Sequence, residues 1–336
     1  MCRAMDARVA LALLLFVHLL ISLAVPTSNP EAIIPALQLQ LILLVPLLLM
    51  ALVWQFAVVA SRKPKHPAKA LATTLWSQRS RIVEGIVFIL SLAAMMQIYM
   101  VIKVAIPQYL PFYADPYLAD MDLAVFGSDP WRLTHMIIGP TGTRFLDYFY
   151  IFPCVLVTMG MTVWACFSRD RVFSRQAVLA IALCWLVLGN WGALAMSSAG
   201  PAYVEHFYGD NRYAELFNAL PSDLMAVQTQ NFLLENFGDP GFGKGISAMP
   251  SMHNALYLLL IWMLYDRFGA SWQLGLALIF ELVVFVASVH LGWHYAMDGI
   301  VSAVLVPPVW YFAKNIERWQ IVKSAHSRTI PELKLA

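Results

Sequence analysis

Charge is what this chain has least of. Only 12% of its 336 residues are charged, against 60% hydrophobic, where an ordinary soluble domain carries about 25% charged and about 45–50% apolar residues. A water-soluble globule does not fit that balance. The net charge of +2 lacks the concentrated basic face of a nucleic-acid binder, so no nucleic-acid partner is expected. Cysteine is scarce too. Cys2, Cys154, Cys166 and Cys184 show no CxxC spacing, and the last three lie inside apolar stretches. They read as small buried hydrophobes and not as a disulfide or metal framework. There is no internal repeat and no low-complexity tract, which argues against a transporter built from two matching halves.

Apolar sequence comes in long runs. A bilayer core about 30 Å thick takes about 20 helical residues to cross. Runs of that kind lie near Val9 to Val25, Ile33 to Ala60, Ile82 to Ile106, Tyr148 to Phe167, Gln176 to Met196, His253 to Tyr265 with its flanks, Trp272 to Val289 and His294 to Phe312. They predict an all-α integral membrane protein with about eight transmembrane helices. Arg3 and Arg8 before the first run, and Ser22-Leu23-Ala24 at its end, are also what a cleaved signal peptide carries. An uncleaved first helix is the reading adopted, and either choice orients the later helices alike.

Most of the 22 basic residues then fall on one side, with Arg62, Lys63, Lys65, Lys69, Arg79, Arg81, Arg169, Arg171, Arg175 and Arg267 in the loops and Lys314, Arg318, Lys323, Arg328 and Lys334 in the tail. The positive-inside rule makes that side, and both termini, cytoplasmic. The long segments Pro107 to Asp147 and Ser197 to Met252 are placed on the outer face. Their Pro, Gly, Tyr, Trp and acidic residues suit short interfacial helices and ordered loops.

Two stretches carry chemistry. Gly245-Ile-Ser-Ala-Met-Pro-Ser-Met-His253-Asn ends an outer segment and opens a helix, with Pro250 and Ser251 suited to its first turn or cap. Ser288-Val-His290-Leu-Gly-Trp-His294-Tyr-Ala-Met-Asp298 follows, and 41 residues separate His253 from His294. That is about two bilayer crossings with a turn at Asp266 to Ser271, so a helical hairpin returns both histidines to one face. On a helix, His294 and Asp298 would stand about 6 Å apart along the axis and on one side. A carboxylate bonded to one ring nitrogen fixes the tautomer, leaves the other nitrogen to attack phosphorus and stabilises the ring as it becomes cationic. His253 would protonate the leaving oxygen. Each residue alone reads as an interfacial histidine or a helix cap. Three ionisable groups converging beside membrane spans mark a site.

At these residues the chain resembles a family. Pro250-Ser-Met-His253 and His294-x3-Asp298 are similar to the second and third motifs of the type 2 phosphatidate phosphatase superfamily. Those motifs run Pro-Ser-Gly-His and Ser-Arg-x5-His-x3-Asp, after a first motif Lys-x6-Arg-Pro. The resemblance covers roughly Lys103 to Phe312. It implies a six-helix catalytic bundle over residues 82–313, preceded by a two-helix segment and basic loop over 1–81 and followed by a basic tail over 314–336. It also implies a phosphohistidine intermediate on His294 with Asp298 as its partner, His253 as general acid, and no metal or other cofactor.

The departures are informative. Met252 stands where the phosphatases have Gly, Ser288 where they have the phosphate-binding Arg, and Leu110 replaces the Arg of the first motif, although Lys103 lies eight residues before Pro111. With the segments Asp122 to Pro130 and Ser198 to Pro201, these features look more like the inositol phosphorylceramide synthase branch, related to sphingomyelin synthases. Transferring oxygens must still be neutralised. The candidate cations are Lys103, Arg132, Arg144, Arg212, Lys244 and His290, the last one helical turn before His294. Ser251 and Tyr203 are candidate substrate contacts. Glu281, midway along a span, should be neutral or hydrogen-bonded inside the bundle. The expected activity is a lipid phosphotransferase or phosphatase acting on a phospholipid or lipid phosphate. The alternative is an inactive lipid-phosphate binding or transport protein.

Overall fold

In the computed structural model the described residues are 6–25, isolated positions from 38 to 53, 55–239 and 243–329, with side chains of the last helix described to residue 316. Half of the apolar run Ile33 to Ala60 lies outside the described residues, as do Cys2, Arg3 and the side chains of the basic tail beyond 316.

Among the described residues every regular element is helical. Helix α1 (Ala7–Ala24) starts where the Asp6 carboxylate accepts the Arg8 and Val9 amides. A short helix α2 (Pro67–Ser77) follows, then α3 (Arg79–Tyr109), α4 (Asp115–Phe126), α5 (Pro130–Ile137), α6 (Pro140–Phe167) and α7 (Arg171–Ala195). Beyond these lie α8 (Val204–Tyr208), α9 (Ala214–Ala219), α10 (Met225–Glu235), α11 (Met252–Phe268), α12 (Trp272–His290) and α13 (Ala296–Thr329).

Six of these are long and apolar enough to cross a membrane: α1, α3, α6, α7, α12 and the first part of α13. Helix α11, with 17 residues, sits at the lower end of the spanning range of about 17–25. Each expected run from Ile82 onward therefore coincides with a helix, and the protein is a multi-pass membrane bundle. The boundaries differ in detail. Helix α6 starts at Pro140, before the apolar run proper, because Pro at the first helical position needs no amide partner. Helix α7 starts at Arg171 behind an Asp170 cap. The last helix begins at Ala296 and not at His294.

Side-chain size decides what faces inward. Ala165, Ala177, Ala180, Ala182, Ala255 and Ala287 are fully buried, whereas Leu13, Val87, Phe145, Leu156, Leu276 and Leu282 face outward. Small residues let helices approach closely in a setting where lipid is as apolar as leucine. Cys154, Cys166 and Cys184 are buried free thiols, as expected of small hydrophobes. Helix α7 widens into a π-helical stretch over Cys184–Gly192. There the segment before α11 packs in: a Cβ on Gly192 would lie 3.1 Å from Pro250, and one on Gly189 3.2 Å from the Met252 sulfur.

Helix α11 packs chiefly against α12 and α13, so the hairpin expected between the two histidines forms. At its open end the short helices α4, α5 and α8 to α10 make a polar cap. The Asp147 carboxylate at the start of α6 accepts the amides of Met225 and Ala226. Arg212 binds Asp129 and Asp120, and Arg144 binds Asp223. Arg132 pairs with Glu215, so Arg132, Arg144 and Arg212 are structural ion-pair partners within the cap.

Candidate active site

His294 lies in the turn between α12 and α13. Gly292, at φ +72°, reverses the chain there, a conformation that favours glycine. The Ser288 carbonyl then accepts both the Trp293 and the His294 amides. The expected helical His294-x3-Asp298 face is replaced by a helix-start geometry. Asp298, in the first turn of α13, uses one carboxylate oxygen twice: it meets the His294 Nδ1 at 3.0 Å and accepts the Tyr295 amide at 3.0 Å. Asp298 is fully buried and His294 is 8% exposed. Capping the helix and holding the histidine are therefore one arrangement.

The start of α13 is held from outside by Asp122, whose two oxygens accept the amides of Ala296 and Met297 at 2.8 and 2.9 Å. Burial holds the Asp122 carboxyl up at about 6, against the two amides that favour its charge. Asp115 is the second anchor. Its oxygens accept from the Ser198 hydroxyl, the Ala199 and Gly200 amides and the Tyr208 and Tyr295 hydroxyls. That ties Ser198 to Pro201 against the histidine turn. Gly200 adopts φ +100°, and a Cβ there would meet the Trp293 carbonyl at 2.8 Å.

His253 lies one residue inside α11 and is exposed. The Tyr150 hydroxyl of α6 stands 3.2 Å from its Nδ1, with the two rings 4.6 Å apart. This leaves Nε2 as the nitrogen available for proton transfer. Ser251 does not cap α11 with its side chain. Its hydroxyl donates instead to Asn254 Oδ1, and Asn254 donates to Glu281. The amides of Met252, His253 and Asn254 have no hydrogen-bond partner among the described residues. Glu281 is buried and hydrogen-bonded inside the bundle, as its mid-span position requires.

Lys103 completes the cluster. It interacts electrostatically with both His253 and His294. Its stem runs against the motif segment, where a Cβ on Gly245 would lie 3.1 Å from the lysine Cγ. Its ammonium lies over the Tyr99 ring at 5.9 Å and makes no carboxylate ion pair among the described residues.

The other sequence candidates are engaged elsewhere. His290 ends α12, so the turn after it breaks the helical register assumed between His290 and His294. Its ring nitrogens meet the hydroxyls of Thr143 and Thr134 at 2.9 and 3.0 Å, and its ring stacks on His135 at 4.0 Å. Lys244 pairs with Asp239. Tyr203 is buried with Ala199 and Ile246 and donates to the Gln230 carbonyl. Tyr150, Asp115, Asp122 and Asn254 are the site residues that motif reading missed. Only Asp122 carried a signal, as the first residue of the Asp122 to Pro130 segment.

The sequence model of the family described as the PAP2 superfamily matches residues 117–312. The match holds both histidine motifs and ends where the sequence resemblance ended, but begins after Lys103. No curated protein and no solved structure matches the chain.

Proposed function

Because the chain belongs to the PAP2 superfamily, we propose that its lipid phosphatase or phosphotransferase chemistry runs through His294 and favours transfer from a phosphodiester lipid. The observation that carries the reading is the His294 Nδ1 to Asp298 Oδ2 bond on a fully buried carboxylate. A ring held this way presents Nε2 as a nucleophile of fixed tautomer.

In the first step Nε2 of His294 forms a bond to phosphorus while the bond to the lipid leaving oxygen breaks. His253 gives that oxygen its proton. In the second step water or a lipid or polyol hydroxyl attacks phosphorus, gives its proton to His253 and releases His294. The transferring oxygens would meet Lys103 and the unpartnered amides at the start of α11, a helix terminus suited to anions.

Ser288 supports the preference for a diester. It stands where the phosphatase motif has arginine, is buried, and spends its hydroxyl on the Phe285 carbonyl. One lysine is a poor match for a dianionic phosphomonoester and a better one for a monoanionic phosphodiester. The positive-inside distribution supports an outer-face site, in the periplasm, lumen or extracellular space.

The test is a panel of radiolabelled phospholipids and lipid phosphates, incubated with purified protein with and without acceptor alcohols. A new phosphodiester lipid that depends on the acceptor is the expected product. Free phosphate from monoesters alone would make it a phosphatase. The missing arginines also favour a second reading, a lipid-phosphate binding protein without turnover. On that reading His294→Ala leaves function intact, whereas the enzyme reading requires near-complete loss.

A further inference from the structure

Between α8, α9 and α10 the polar cap holds a cavity of about 210 Å³. Sites for drug-sized ligands measure roughly 300–1,000 Å³, so an occupant here is small. Glu205 and Asp210 line it and are exposed, which sets them at its mouth. Tyr213 and Gln230 are only 5% and 4% exposed and form its depth, beside an apolar wall of Phe217, Val227 and Leu234. No Lys, Arg or His lines it.

Polar groups of buried residues are normally hydrogen-bonded. Two that line this cavity are not. Gln230 donates from Nε2 to the Leu291 carbonyl, which fixes the orientation of the amide and leaves Oε1 with no partner among the described residues. Tyr213 uses its ring, with Arg212 over it at 5.9 Å and Tyr295 edge-on at 6.0 Å, while its hydroxyl has no partner among them either. Both atoms stay open to solvent although their residues are buried, and the cavity is the space those residues line. At the mouth Glu205 makes no ion pair among the described residues, and Asp210 spends one oxygen on the Arg212 amide. The Arg212 guanidinium is committed to Asp120 and Asp129.

Acceptors and negative charge therefore meet in one small space, and they call for a small cation that carries N–H donors. A lipid phosphate would find no counter-charge there. A quaternary ammonium has no donor for the amide oxygen, and a neutral alcohol leaves both carboxylates unanswered. We propose that this cavity binds a small primary alkylammonium solute, its N–H groups donating to Gln230 Oε1 and the Tyr213 hydroxyl, its charge answered by Glu205 and Asp210, and its alkyl part against Phe217, Val227 and Leu234. Neither motif histidine nor Asp298 lines the cavity, so the site is separate from the phosphoryl-transfer centre and does not rest on that reading. Its walls alone reach that centre, where Gln230 holds Leu291 and Tyr213 packs on Tyr295, on either side of the histidine turn.

The test is equilibrium dialysis of the purified full chain against radiolabelled propylammonium in amine-free buffer. The probe has no hydroxyl to accept a phosphoryl group, so the readout is independent of turnover. One probe bound saturably per chain is expected. Unlabelled tetramethylammonium and propan-1-ol should each compete about tenfold more weakly than unlabelled propylammonium, the scale of losing one charged hydrogen bond. Tyr213→Phe and Glu205→Gln each remove a group without a partner in the fold. Both should keep the parent's thermal unfolding and weaken binding about tenfold. No saturable binding, equal competition by tetramethylammonium or propan-1-ol, unchanged affinity in either variant, or displacement by calcium at equal concentration would each overturn the proposal.

Discussion

His294 reaches Asp298 through Nδ1, His253 meets Tyr150 through Nδ1, and Lys103 stands within electrostatic reach of both histidines. At this scale Asp298→Asn should keep the Tyr295 amide bond yet lose the orienting charge. A drop in kcat on the order of 10³-fold or more is expected, the scale of disorienting a catalytic imidazole, measured as lipid turnover with folding checked by thermal unfolding. Lys103→Met should cost about 10²–10³-fold in kcat, as does loss of one charge-stabilising group. A residual rate near the parent's would remove Lys103 from the site. The two histidines and Asp298 were legible in sequence because their spacing carries them. Tyr150 was not, since its partner lies 103 residues away and an interfacial tyrosine has no signature of its own. His290 misled because it was assumed to share a helix with His294, and Gly292 ends that helix.

Helix ends explain how the site is held. The start of α13 takes its caps from Asp122 and Asp298, and the Ser198 to Pro201 segment takes its anchor from Asp115. Asp122→Ala should remove both amide acceptors and destabilise the protein by about 1–2 kcal/mol, as loss of a helix cap does. Asp115→Ala leaves five donors without their acceptor and should cost about 3 kcal/mol or more, as breaking a buried charged hydrogen-bond network does. Thermal unfolding in detergent reads both, and equal shifts for the two variants would contradict the anchoring assigned to Asp115. The spanning elements were legible from Ile82 onward because apolar run length sets helix length in a bilayer. Their starts were not, because Pro140 and Asp170 begin helices within polar sequence. The polar cap was foreseen only as short interfacial helices, since its ion pairs join residues 79 to 92 positions apart.

Across the whole molecule the charges are divided between two ends, arginine-rich at one and histidine-bearing at the other. Single cysteines in place of Asp210 and Arg62 on a background lacking native cysteines test the orientation. In intact cells a membrane-impermeant maleimide should label the first and spare the second, and the reverse pattern would invert the topology. The most direct test of the central assignment is to trap the intermediate. Brief reaction with phospholipid labelled with ³²P, followed by alkaline denaturation and digestion, should give an acid-labile, base-stable label on the peptide containing His294. The label should be absent in His294→Gln and should form more slowly in His253→Ala, which lacks the acid of the first step. Label that survives acid, or that persists in His294→Gln, would contradict the account.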